Sequence, residues 1–170
     1  MSAKVVKEWV TESGYRAAVV LVWFDDSFYP EKYHCGYVEV PKNHALYKAE
    51  YTDKMPLGVT LPADTVIGKR GLINAICGID LENPRIDGYF DVHGGITYDG
   101  SRGEPDTWWF GFDCHHLDDN IGFCDEAYVE GECENLAKQL KTVQENAQIK
   151  SSGAGAEQGD RNVGKARGEE

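Results

Sequence analysis

The sequence predicts an α+β fold, a mostly antiparallel sheet packed against one long C-terminal helix. Three observations lead there. Residues 15–24, YRAAVVLVWF, are apolar at nearly every position from Ala17 onward, as in a strand covered on both faces. Residues 89–115 hold two runs of alternating polarity around a polar turn, the pattern of a β-hairpin. Residues 125–146 place Val129, Cys133, Leu136, Leu140 and Val143 at steps of four and three, one apolar helical stripe. A chain of 170 residues suits a single domain, expected over 1–146. Residues 147–170 are rich in Gly, Ala, Ser and charge, and predict a disordered C-terminal tail.

Taken in order, residues 1–13 carry Val5, Val6, Trp9 and Val10, which fit either a short amphipathic helix or an edge strand before Gly14. The 15–24 strand follows, and Asp25, Asp26, Ser27 and Pro30 make a turn. Residues 34–40 read as a short strand stopped by Pro41, with room for one helical turn over 42–47. Residues 53–64, with two prolines and a glycine, suggest loop or short strand. Over 65–79 a helical spacing of apolar residues competes with Gly68 and Gly71, each costing about 1 kcal/mol in a helix; 74–81 fits a strand equally well. Pro84 and Gly88 precede the hairpin, with strands at 89–98 and 107–115 and a turn over 99–106. Asp125 suits the N-cap of the long helix, Glu126 and Glu130 its positive start, and Lys138 and Lys141 its later turns.

Composition narrows the function. The net charge is −12, and the last 24 residues hold four basic and four acidic groups, so residues 1–146 carry 13 Lys+Arg against 25 Asp+Glu. Such a surface repels phosphate backbones and argues against general nucleic-acid binding, though not against one small anionic ligand or a basic protein partner. No apolar run approaches the ~20 residues of a membrane span. The N-terminal stretch MSAKVVKEWVTESG lacks the apolar segment of a secretory signal. Five cysteines without a CxxC pair then suggest reduced thiols and a cytoplasmic setting.

The hairpin concentrates the chemistry. Side chains alternate faces along a strand, so Phe90, Val92, Ile96 and Tyr98 share one face and Asp91, His93, Gly95 and Thr97 the other. On the second strand Trp108, Phe110, Phe112 and Cys114 oppose Trp109, Gly111, Asp113 and His115. One register sets His93 opposite Asp113 and Asp91 opposite His115, with Cβ atoms roughly 5 Å apart. A histidine oriented by a carboxylate is a general base, and the same groups can ligate a divalent metal. The candidate catalytic residues are His93, with Asp113 as orienting partner, and His115, His116 and Asp119. Gly94 and Gly95 beside His93 suggest a bulge or ligand floor. With Asp91, Thr97, Arg102 as an anion clamp and Trp109 as a stacking ring, they complete the expected ligand pocket. The spacing matches no metal motif, and a zinc site from His34, Cys35, His44, Cys114, His115 and Cys124 lacks the usual CxxC pair.

The segments CGYVEVPKNH at 35–44, VHGGITYDG at 92–100, WWFGFDCHHLDD at 108–119 and the helix around YVEGECENLAKQL resemble those of a group of small hypothetical proteins carried by bacteriophages and prophages. The resemblance spans roughly residues 33–143 and implies a phage or prophage origin and work in the cytoplasm of an infected host cell. It brings no activity with it. Its HGG-[LI]-T-[YF] and WFGFDC-x-H-x-x-D patterns take in His93, Gly94, Gly95, Thr97, Asp113, Cys114, His116 and Asp119. Alternation favours His115 on the polar face and the resemblance favours His116; both fit if the strand ends near Cys114. The expected function is binding or processing of a small polar ligand such as a nucleotide, by hydrolysis or group transfer if catalytic. The alternative is a non-catalytic phage accessory protein that sequesters a host signal molecule or inhibits a host protein.

Overall fold

The structure, a computed structural model, describes residues 1–24, 32–56, 83–117, 119 and 121–153. The expectations for 25–30, for most of 53–64 and for 65–81 fall outside these residues, as do Cys77 and Asp118.

Five strands form one sheet: β1 Ser2–Val10, β2 Arg16–Trp23, β3 Lys32–Glu39, β4 Tyr98–Gly100 and β5 Trp109–Asp113. Their order is β1-β2-β3-β5-β4, every pair antiparallel. Residues 1–13 thus resolve to an edge strand. A tight turn joins it to β2: Gly14 sits at φ 88°, and the Thr11 hydroxyl accepts the Tyr15 N–H. The apolar run became the interior strand β2, with Ala17 and Val19 facing the helix and Val20 and Val22 on the opposite face with Cys35. Past Pro41 the expected helical turn is a series of tight turns instead, closed by bonds such as His44 N–H to Pro41 C=O and Tyr47 N–H to His44 C=O.

The described residues also form two helices: α1 Ile86–Tyr89, a single turn, and α2 Glu126–Gly153. Asp125 caps α2, its carboxylate accepting the Tyr128 N–H at 2.9 Å. Val129, Cys133, Leu136, Leu140 and Val143 are all fully buried against the sheet, so the predicted stripe is the helix's core face. At about 25 cal/mol per Å² of apolar surface, each large member contributes about 1.5–3 kcal/mol. Gly36 lets the helix come close to the sheet: a Cβ there would overlap the Phe112 ring and the Cys133 sulfur. The helix runs past the expected end at Asn146, because Ala147, Gln148 and Lys150 are good helix formers; the tail expectation for 154–170 lies outside the described residues.

The hairpin differs most from expectation. Its first strand is Tyr98–Gly100 rather than 89–98, and its second is Trp109–Asp113 rather than 107–115. Gly94 and Gly95 take φ values of 66° and 87°, which turn the chain and end any extended run through His93. The register pairs Tyr98 with Gly111 and Gly100 with Trp109. His93 therefore does not face Asp113, nor Asp91 His115. Phe90, Val92 and Ile96 are buried as the alternation suggested, but they reach the core from a loop beneath α2.

Candidate functional site

A polar stripe on α2 positions the 91–93 loop. Tyr128, Glu132, Asn135 and Gln139 recur at steps of four, three and four, beside the apolar stripe, so they line one flank of the helix. Each binds the loop. Gln139 Oε1 accepts the Asp91 N–H at 2.9 Å. The Asn135 and Gln139 amides donate to the Asp91 carbonyl at 2.7 and 3.0 Å. Buried Glu132 accepts the His93 N–H at 2.8 Å. The Tyr128 hydroxyl meets His93 Nδ1 at 3.0 Å. None of these four was predicted, although their helical spacing is visible in the sequence.

His93, His116 and Asp119 converge. Asp119 Oδ2 lies 3.0 Å from His93 Nε2 and 2.9 Å from His116 Nδ1, and accepts the His116 backbone N–H at 2.8 Å. Three donors thus meet one carboxylate oxygen. Burial pushes the Asp119 carboxyl up, but the hydrogen bonds from the His116 backbone and the two rings prevail and hold it below the ordinary carboxylate range. Gly94 permits the arrangement: a Cβ there would overlap the His116 ring. The Asp119 side chain is 12% exposed, His93 18% and His116 42%. Among the described residues both His93 nitrogens have partners, whereas His116 is held only through Nδ1. An imidazole fixed by a carboxylate on Nδ1, with Nε2 on an exposed ring, is arranged to take a proton from a bound molecule.

The other predicted residues lie apart. Asp113 accepts the Thr97 hydroxyl at 2.7 Å and the His115 N–H at 3.2 Å, and it orients no imidazole among the described contacts. β5 ends at Asp113 and the chain turns, so His115 stacks on Tyr33 at 4.4 Å while His116 joins the cluster. Asp91 is held through its backbone, with one carboxylate oxygen buried without a partner among the described residues. Gly95 is a buried turn residue. Trp109 is not an exposed stacking ring: it is 1% exposed, with the Arg16 and Arg102 guanidinium groups 5.1 and 4.7 Å from its ring centroid. Arg102 also covers Tyr37 and borders an open groove of about 260 Å³ lined by Tyr37, Tyr98, Val5 and Val20. That groove and the His cluster are on opposite faces of the sheet, so the expected single pocket on the hairpin's polar face is not formed.

Two buried thiols lie beside His93. Cys114, just after β5, and Cys124, just before α2, are 4% and 6% exposed. The Cys124 sulfur is 3.9 Å from Asp119 Oδ1, and its carbonyl lies 2.9 Å from His34 Nδ1. Burial, then the neighbouring Cys124, pushes the Cys114 thiol up, so its sulfur is a neutral thiol here. The zinc grouping suggested by the sequence does not assemble as a whole: His115 points to Tyr33, and His44 bonds Leu140 C=O and Leu46 N–H in the core. Two sets do converge, each with donor atoms within 4.8 Å of one another: His93 with Cys114 and Cys124, and His93 with His116 and Asp119. Among the described residues no helix is long and apolar enough to cross a membrane.

No known protein family, curated protein or solved structure matches this chain.

Proposed function

We propose that the protein binds and processes a small polar molecule at the His116–Asp119 pair, by hydrolysis or group transfer. A nucleotide is the leading ligand class, and the setting is the cytoplasm of an infected host cell. One observation carries the reading. Asp119 Oδ2 takes the Nδ1 side of His116, which leaves Nε2, beside Gly94, unbonded among the described residues on a ring that is 42% exposed. His116 is then the general base, Asp119 its orienting partner, and His93 with Tyr128 a brace that fixes Asp119 from the buried side. The test is mass analysis of a nucleotide and metabolite mixture incubated with the full chain. Turnover is expected with the native protein and lost in His116→Ala, whose melting temperature should stay within a few degrees of native. Undiminished turnover in His116→Ala would end the assignment.

A second reading rests on a separate observation. Leu117, Ile121 and Phe123, in the connection that follows His116, are exposed. Large apolar side chains grouped on a loop suit docking to a protein, and the acidic body suits a basic host surface. A non-catalytic accessory protein of this kind would retain a host protein or an intact ligand and yield no product in the same assay.

A further inference from the structure

We propose that Cys114, Cys124 and His93 hold a zinc-class divalent cation, with Asp119 as the fourth ligand. The inference goes beyond the proposed reaction and does not require it. Its ground is geometry. The two sulfurs and a His93 ring nitrogen lie within 4.8 Å of one another, and Asp119 Oδ1 stands 3.9 Å from the Cys124 sulfur. Ligand atoms around a tetrahedral zinc are about 3.3–3.8 Å apart, given bond lengths near 2.0 Å to nitrogen and 2.3 Å to sulfur. The two sulfurs and the His93 nitrogen therefore need to close by about 1.5 Å or less, and Asp119 reaches the ion from the Cys124 side.

The chemistry of the set selects the ion. Two thiolates with an imidazole favour zinc over magnesium or calcium, which take oxygen ligands. Binding converts two thiols to thiolates and releases both protons to solvent. Supporting groups are in place: His93 Nε2 would exchange its bond to Asp119 Oδ2 for the ion, its proton passing to Nδ1 where the Tyr128 hydroxyl accepts it, while Glu132 fixes the His93 backbone and His34 bonds the Cys124 carbonyl. Asp119 has an oxygen for each task, Oδ1 on the thiol side and Oδ2 on His116.

The site also has a structural reason. Cys114 and Cys124 bracket the connection from β5 to α2, which has no helix or strand among its described residues and exposes Leu117 and Phe123. A cation there would tie both ends of that connection to the 91–95 turn. Both thiols are buried, so the site is closed, as structural zinc sites are.

The test is titration of the reduced, chelator-treated full chain with zinc and with cobalt. The proposal predicts one ion per chain, a higher melting temperature with zinc, and thiolate-to-cobalt charge-transfer absorption. Cys114→Ser, Cys124→Ser and His93→Ala should each weaken binding by about tenfold or more, and His116→Ala and Cys35→Ser should leave it within about twofold. No uptake by the reduced native chain overturns the proposal, and so does binding that depends on His116 but not on Cys124. Should a serine variant fail to fold, alkylation mapping of the native chain decides. Zinc should slow labelling of Cys114 and Cys124 relative to Cys35, and an unchanged pattern refutes the site. These readouts follow the ion and not turnover, so they separate this proposal from the assignment of His116.

Discussion

Asp119→Asn separates a carboxylate that organises the site from one that merely sits in it. In the native protein Oδ2 receives three N–H groups at 2.8, 2.9 and 3.0 Å. Hydrogen bonds to a charged acceptor contribute about 1.5–3 kcal/mol net, and neutral ones about 0.5–1.5. The amide oxygen of Asn can retain two of the three donors, now as neutral bonds, and its NH2 group turns toward the Cys124 sulfur. Because the bonds share one atom they are not additive, and the expected loss is about 2–3 kcal/mol in urea unfolding at pH 7. The pH dependence gives a second check. The folded-state pKa of Asp119 lies below its ordinary 3.8, so its stabilisation is complete above that value and lost as pH falls through the lower one. The gap between native and variant should therefore narrow as pH falls below 3.8. A gap under ~0.5 kcal/mol at pH 7, or one that persists at low pH, refutes the reasoning.

Two further outcomes follow from particular residues. Gly94→Ala forces a Cβ into the His116 ring at φ 66°, whereas Gly103→Ala meets open space at φ 81°. Both should lose about 1–2 kcal/mol from the left-handed backbone; Gly94→Ala alone should also displace the His116 ring, seen as a changed imidazole NMR spectrum. His44 is buried, with Nδ1 accepting the Leu46 N–H and Nε2 at the Leu140 carbonyl, so it must stay neutral. Burial lowers its pKa from 6.5 despite that carbonyl. Its stabilisation is thus full above pH 6.5 and lost as pH falls toward the folded value, and His44→Gln should flatten that part of the stability profile.

The sheet and long helix were legible because burial imposes period on sequence. The five-residue stripe of α2 and the unbroken apolar run of β2 each had one good reading, and Asp125 marked the helix start. The site was harder. Phe90, Val92 and Ile96 alternate as a strand would, but they alternate because a loop beneath a helix also sends side chains inward. The His-Gly-Gly sequence was the local sign against a strand, since adjacent glycines at positive φ cannot continue the pleat. His116 over His115 was settled by where β5 stops. That choice depends on the pairing of Asp113 with Cys35 at the last ladder position, which no local pattern encodes. Tyr128 and Glu132 went unread because a polar residue beside an apolar stripe looks like a solvated flank. Their regular spacing with Asn135 and Gln139 was the available signal.

The account turns on the proton of His116. Long-range proton–nitrogen NMR correlation on the metal-free full chain near pH 8, assigned with His116→Ala, reads which ring nitrogen carries it. The predicted result is the Nδ1–H tautomer, held by Asp119, with a bare Nε2, and loss of that preference in Asp119→Asn. An Nε2–H tautomer, or a ring indifferent to Asp119→Asn, would contradict it.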